Sequence, residues 1–218
     1  KAGEIFKLAE KWFGEIPTGK KIIRNIPKEP VQQEERILEV KADVPVNAIY
    51  KAYKMGARAD EDFYASDLLR DILSNGDSSR LYQQLVKEKK LFSSISAYST
   101  ESIDDGLLMI EGRLSEKVTM EAAEKAIEEV LNEMVLQKIS EEELVKVENQ
   151  IEAYMTCGEV NILNRAMNLA YFDMLGDVNE INKQVEKYAA VTSKQLHAAA
   201  APLFTPAPCP TIRYFSNN

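Results

Sequence analysis

Ser74–Ser99, SNGDSSRLYQQLVKEKKLFSSISAYS, packs a helix end, a helix start and a strand into one short run. Asn75-Gly76 is a turn pair that stops a helix arriving from upstream. Ser78 or Ser79 supplies an N-cap oxygen for the next helix, whose apolar positions Leu81, Leu85 and Val86 recur at helical spacing to about Lys90. Phe92–Thr100 then alternates with period two, the pattern of a half-buried strand. A period that switches within so few residues predicts helices and strands sharing one core.

Working outward, Asp60 reads as the N-cap of a helix through Phe63, Leu68, Leu69, Ile72 and Leu73. Before it, Arg36–Ala42 and Ala48–Met55 alternate as two strands, parted by a break containing Pro45. Ile5, Leu8, Ala9, Trp12 and Phe13 mark a first helix that stops at Gly14. Pro17, Pro27 and Pro30 mark an extended connector. On the other side, Leu107–Leu114 reads as a strand joined to Phe92–Thr100 by the Asp104-Asp105-Gly106 turn. Thr119 starts a helix. Ser140 with Glu143 forms a capping box for a longer one running towards Leu175, where Gly176-Asp177 breaks it. A further helix carries Ile181, Val185 and Tyr188. A short last one is capped by Thr192 and Gln195, with Pro202 and Pro206–Pro210 ending the helices, and Thr211–Phe215 closes as a strand. The order predicts an α+β fold, a mostly antiparallel sheet covered on one face by helices. The segmentation expected is a helix over residues 1–14 trailing from an upstream domain, a proline-containing connector over 15–33, and a domain over 34–218.

Composition narrows the chemistry. The 218 residues are 45% hydrophobic and 28% charged, the profile of a globular chain. A net charge of −8 opposes binding to a phosphate backbone, so no nucleic-acid partner is expected. No apolar run reaches the roughly 18–20 residues of a membrane helix. Eleven Glu against four Lys between Glu116 and Glu152 read as solvated faces of two amphipathic helices, with an acidic wall for basic partners as the alternative. The start at Lys1, without Met or a leader pattern, reads as a fragment, and no compartment is assigned.

Candidate reactive groups are sparse. His197 is the only histidine, on a short alanine-rich segment without a neighbouring nucleophile or carboxylate. With Cys157 and Cys209 far apart, no His-based zinc set and no disulfide framework is expected. Cys157 reads as a packed helical thiol. Gly76–Arg80 lacks the spacing of a nucleotide-binding loop and reads as a helix joint with Arg80 packed or paired nearby. Glu141–Glu143 fit a helix N-terminus, where the dipole favours acids.

Ser74–Ser99 also resembles the second-domain segment of the insulinase/pitrilysin/mitochondrial processing peptidase family of zinc metallopeptidases. The matching features are the Gly turn, Ser78-Ser79-Arg80-Leu81, a helix with a charged end, Leu91, and a strand. Leu8–Pro17, Ala48–Ala57 with Asp62–Leu73, Gln150–Leu175 (the family's long helix pair) and Leu203–Phe215 resemble further family segments in the same order. The resemblance implies paired α+β domains in each half, and two halves closing like a clamshell on a peptide. It also implies zinc held by H-x-x-E-H in another domain of the parent or its partner, since this chain has one His. This domain would then be noncatalytic, lining the chamber and positioning peptide. The alternative is a degenerate scaffold or assembly subunit without peptidase activity. Where active-site-completing members carry an Arg and, seven residues on, a Tyr, this chain has Val86 and Ser93. No catalytic or metal-binding residue is carried over. Ser78, Ser79, Arg80 and Leu81 are expected to be structural.

Overall fold

Alternating side chains and a shared apolar face assemble five strands into one sheet in the computed structural model, which describes residues 1–20, 23, 26, 27, 30, 32–100, 102–204 and 209–217. The strands are β1 (Ile37–Ala42), β2 (Ala48–Met55), β3 (Phe92–Ser99), β4 (Gly106–Leu114) and β5 (Thr211–Ser216), in the order β1-β5-β2-β4-β3. β1 runs parallel to β5, while β2/β5, β2/β4 and β3/β4 are antiparallel. The fold is α+β with a mostly antiparallel sheet. One face of the sheet is buried: Ile49, Tyr53 and Met55 on β2, Leu108, Ile110 and Leu114 on β4, and Ile95 and Ala97 on the edge strand β3.

Helices cover that face. α2 (Phe63–Ser74) is buried along nearly its whole length, and Leu68, Leu69, Ile72 and Leu73 enter the core. α3 (Met120–Leu136) adds Ala123, Ile127, Val130, Leu131 and Met134. α7 (Ser193–Phe204) adds Leu196, Ala200, Leu203 and Phe204. α4 (Glu141–Gly158) contributes only Leu144, Val147 and Ile151, and α5 (Ile162–Met174) only Phe172. A 3-10 turn (Val178–Lys183) leads into α6 (Gln184–Ala189).

The chain divides into two compact units, Lys1–Val31 and Gln32–Asn218. In the first, α1 (Ala2–Phe13) is amphipathic and has no buried residue. Residues 21, 22, 24, 25, 28, 29 and 31 of the expected connector lie outside the described residues, as do Pro206 and Pro208.

Four local expectations are corrected. The helix expected to run unbroken towards Leu175 is two: Asn161 takes extended backbone (φ −79°, ψ 116°), and its side chain accepts from Leu163 N at 2.9 Å, capping α5. Asn at an N-cap is as good a helix start as Ser. Asp60 does not cap α2; its Oδ2 accepts from Ala57 N at 2.9 Å, and the helix begins at Phe63. Pro202 does not end the last helix, which continues to Phe204. The helix through Leu85 and Val86 is largely a π-helix, Tyr82–Glu88, with Lys89 N donating to Gln84 O at 2.9 Å. Lys90 then adopts φ 54°, and Leu91 N closes the end by donating to Leu85 O at 2.9 Å.

Candidate functional site

Ser78–Leu81 sits where α2 hands over to the π-helix, and every member serves the joint. Gly76 has φ +79°, a left-handed conformation that glycine takes without strain, and it turns the chain back after α2. Ser79 is buried, and its N–H donates to Gly76 O at 3.1 Å. Leu81 is fully buried. Ser78 meets Lys146 of α4, whose ammonium donates to its carbonyl at 3.2 Å and its hydroxyl at 3.3 Å. Arg80 makes a two-pronged pair with Glu143: Nε to Oε1 at 2.8 Å and Nη2 to Oε2 at 2.9 Å.

Glu143 is also the third residue of the α4 capping box, accepting from Ser140 N at 3.2 Å. The same carboxylate therefore starts α4 and clamps it to the turn after α2. Arg80's hydrogen bonds hold the Glu143 carboxyl below its ordinary range, with Ser140 adding to them against the opposing cost of burial. Stability linked to a lowered carboxyl is present above the unfolded glutamate value of about 4.3 and fades as pH falls through the folded one. Arg80→Ala is expected to cost about 1–3 kcal/mol at neutral pH. Glu143→Gln should lose part of the acid-limb slope of stability against pH, as measured by urea titrations at several pH values.

Val86 and Ser93 lie nearby on different elements. Val86 is half-buried in the π-helix and packs against the core. Ser93 is exposed at the β3 bulge between Phe92 and Ser94, and its hydroxyl donates to Arg113 O at 3.2 Å. Neither presents a donor comparable with a guanidinium or a phenol.

The dominant electrostatic cluster lies on the helix-covered face of the sheet. Lys51 of β2, 3% exposed, donates to Glu124 Oε1 of α3 at 2.7 Å and to Glu128 Oε1 at 3.3 Å. Arg213 of β5 reaches the other Glu124 oxygen with Nη2 at 2.7 Å and Nε at 3.2 Å, and Glu39 of β1 with Nη1 at 3.3 Å. Burial pushes the Glu124 carboxyl up, but hydrogen bonds from Lys51 and Arg213 outweigh it and hold it below its ordinary range. Burial likewise opposes the Lys51 charge, and Glu124 more than restores it. Reading motifs alone passes over this cluster. The available signal was register, because Lys51 shares the face of Ile49, Tyr53 and Met55.

The remaining candidates stand apart. His197 is exposed on α7, and Cys157, expected to be packed, is instead exposed on α4, which buries only Leu144, Val147 and Ile151. Cys209 is partly covered, its thiol donating to Ala52 O at 3.3 Å, and burial pushes its pKa up. Among the described residues, no group of three or more His, Cys, Asp or Glu could hold a metal ion. Their donor set therefore does not fit zinc. No helix among them is long and apolar enough to cross a membrane.

Comparison with known proteins gives these features a setting. The family description "Peptidase M16 inactive domain" matches residues 1–151. Zinc protease PqqE of Helicobacter pylori is 29% identical over 147 residues, covering 66% of this chain and 33% of that protein. A solved protease from Helicobacter pylori superposes with a TM-score of 0.89 at 22% identity, over 98% of this chain and 52% of its own. An inactive peptidase domain from Bordetella parapertussis superposes with a TM-score of 0.72 at 20% identity, over 81% of this chain and 96% of its own. The chain thus spans about a third of the length of the curated relative and about half that of the Helicobacter structure. The match over residues 1–151, more than half of the chain, places it in the peptidase M16 family, as an inactive domain of that family.

Proposed function

We propose that this chain is the noncatalytic domain of a zinc metallopeptidase, lining a peptide chamber and positioning the substrate for hydrolysis carried out elsewhere. The match to the inactive domain of the family carries this reading. In it, residues 1–14 trail from an upstream domain, 15–33 connect, and 34–218 form the noncatalytic domain. A homologous domain or half would be the partner in a clamshell, a peptide the substrate, and zinc would be held outside this chain. The donor set described above supports that division of labour, and no metal-dependent step is derived from these residues.

Ser78, Ser79, Arg80 and Leu81 have a structural role in this reading, and Val86 and Ser93 do not act on the reacting groups. Losing one donor to a developing oxyanion typically costs about 100- to 1,000-fold in turnover. Val86→Ala and Ser93→Ala are instead expected to leave turnover of the active assembly within a few-fold, after correction for folded fraction.

Reconstitution tests the reading. The purified chain alone should carry no stoichiometric zinc and cleave no unstructured peptide. Adding the zinc-bearing domain of its parent should give chelator-sensitive cleavage that the zinc-bearing domain does not reach by itself. Chelator-sensitive cleavage by the isolated chain overturns the reading. An assembled pair without cleavage points to the scaffold role.

A further inference from the structure

α5 turns its polar side inward and its apolar side to solvent. Phe172 is the one buried residue among its thirteen. Arg165 and Asn168 precede Phe172 by seven and four positions, and so share the side that faces the body of the domain. Leu163, Met167, Ala170 and Met174, spaced by four, three and four, line the opposite side, and all are exposed. A surface helix ordinarily turns such a stripe to the core.

The stripe belongs to a projecting arm. α4 buries no residue beyond Ile151, and Tyr154 in its next turn is 81% exposed. Val160 and Ile162, where α4 gives way to α5, are each 85% exposed. α5 packs chiefly on the 3-10 turn that follows it. Between Ala153 and Met174 the charged residues are Glu159, Arg165 and Asp173, in a chain that is 28% charged. An apolar patch this poor in charge marks a contact surface.

The order of residues along the stripe complements itself. With two α5 helices set antiparallel about a point between Asn168 and Leu169, Leu163 lies opposite Met174 of the second copy, and Met167 lies opposite Ala170. Each large side chain at the centre then meets a small one, the alternation that lets packed helices interdigitate. The helix dipoles also oppose each other favourably. Parallel pairing sets Met167 on Met167 and Ala170 on Ala170, and aligns the dipoles. No charged residue lies on the stripe, so two copies bring no like charges together. We propose that this chain forms a twofold dimer in which α5 packs antiparallel on α5 of a second copy. Such a contact is isologous, so every pair along the stripe is made twice.

α5 presents a strip about 20 Å long and roughly 10–12 Å wide, whereas a stable interface takes roughly 800 Å² from each partner. α5 alone falls short, and Tyr154, Val160 and Ile162 on the same arm bring the contact towards that size. A dissociation constant of about 1–100 µM is therefore expected. The dimer joins two copies of the same domain. It goes beyond the peptidase reading and does not rest on it.

Analytical ultracentrifugation of the full chain tests the pairing. Wild type should pass from monomer to dimer across that concentration range. Met167→Lys and Ala170→Glu replace exposed residues, so each variant should unfold thermally as wild type does. Each alone sets a charge against an apolar neighbour of the second copy and should weaken the dimer at least about 10-fold. An equimolar mixture of the two variants should recover the dimer, because the antiparallel register sets the introduced charges opposite each other. Each chain carries one introduced charge, so recovery has no route within a single chain. A mixture that stays monomeric overturns the proposal. So does a dimer that survives both single substitutions and therefore runs through another surface, such as the exposed apolar face of α1. Wild type that stays monomeric to about 1 mM overturns it as well, whether the stripe is then found to hold the zinc-bearing domain of the parent or to adsorb to phosphatidylcholine vesicles.

Discussion

Glu124→Ala is expected to destabilise the domain by about 3–5 kcal/mol, the range seen when one partner of a buried ion pair is removed. Lys51 is 3% exposed, so truncating Glu124 strands an ammonium whose remaining acidic neighbour is Glu128 at 3.3 Å. Arg213 loses its pair at 2.7 Å in the same step and keeps Glu39 at the sheet rim. Most of the loss comes from the Lys51 charge, which loses its closer, buried partner and keeps the exposed Glu128 carboxylate. Lys51→Met combined with Glu124→Leu should therefore recover most of the stability, although it deletes more polar contacts. Urea unfolding at neutral pH distinguishes the two: the midpoint should fall sharply in the single variant and return towards wild type in the double, with an unchanged slope. A loss below about 1 kcal/mol in Glu124→Ala would mean that water reaches Lys51. Because the Glu124 carboxyl is held below its ordinary value, its contribution is present above about pH 4.3 and is lost as pH falls through the folded value. Glu124→Gln should flatten that part of the pH profile.

Gly112→Val should be comparably damaging, for a steric reason. A Cβ at Gly112 would lie 2.5 Å from Phe92 Cε1 and 2.8 Å from Cδ1, with Ile49 Cγ2 at 3.4 Å. Phe92 is 1% exposed and Ile49 is fully buried, so the ring has little space into which to withdraw. Overpacking a close-packed core typically costs about 1–3 kcal/mol. Gly112→Ala is expected within that range, and Gly112→Val at or above its upper end. Phe92→Leu destabilises by itself by leaving a void, yet it should relieve the clash. The double variant Gly112→Ala/Phe92→Leu should thus be more stable than additivity predicts, with a coupling of about 0.5–3 kcal/mol. Additive losses would show that the ring and the glycine do not share one space.

How much of this was legible depended on the range of the interaction involved. Period-two runs placed β2, β3 and β4, because alternation follows from strand geometry. The Ser140/Glu143 box marked the start of α4, because both partners lie within one turn. Periodicity does not show the break before α5, which only the resemblance to the family's helix pair over Gln150–Leu175 implies: Asn161 sits in a long helical pattern, and its capping role depends on a backbone angle that no spacing announces. The π-helix was equally hidden, since Leu81, Leu85 and Val86 suit an ordinary helix as well.

The amino-acid sequence by itself determined the α+β class, the family resemblance through Ser78-Ser79-Arg80-Leu81, and the scarcity of metal-binding side chains. These follow from local periodicity, short motifs and composition. Only the tertiary structure decided that Arg80 clamps Glu143 across 63 positions, that Lys51 is buried against α3, and that β3 rather than β4 forms an edge of the sheet. Strand order and ion-pair partners arise from contacts between distant segments, and closing the intervening loops costs an entropy that rises only slowly with their length. Many such pairings are therefore accessible to the chain, and the packing of the whole core selects among them.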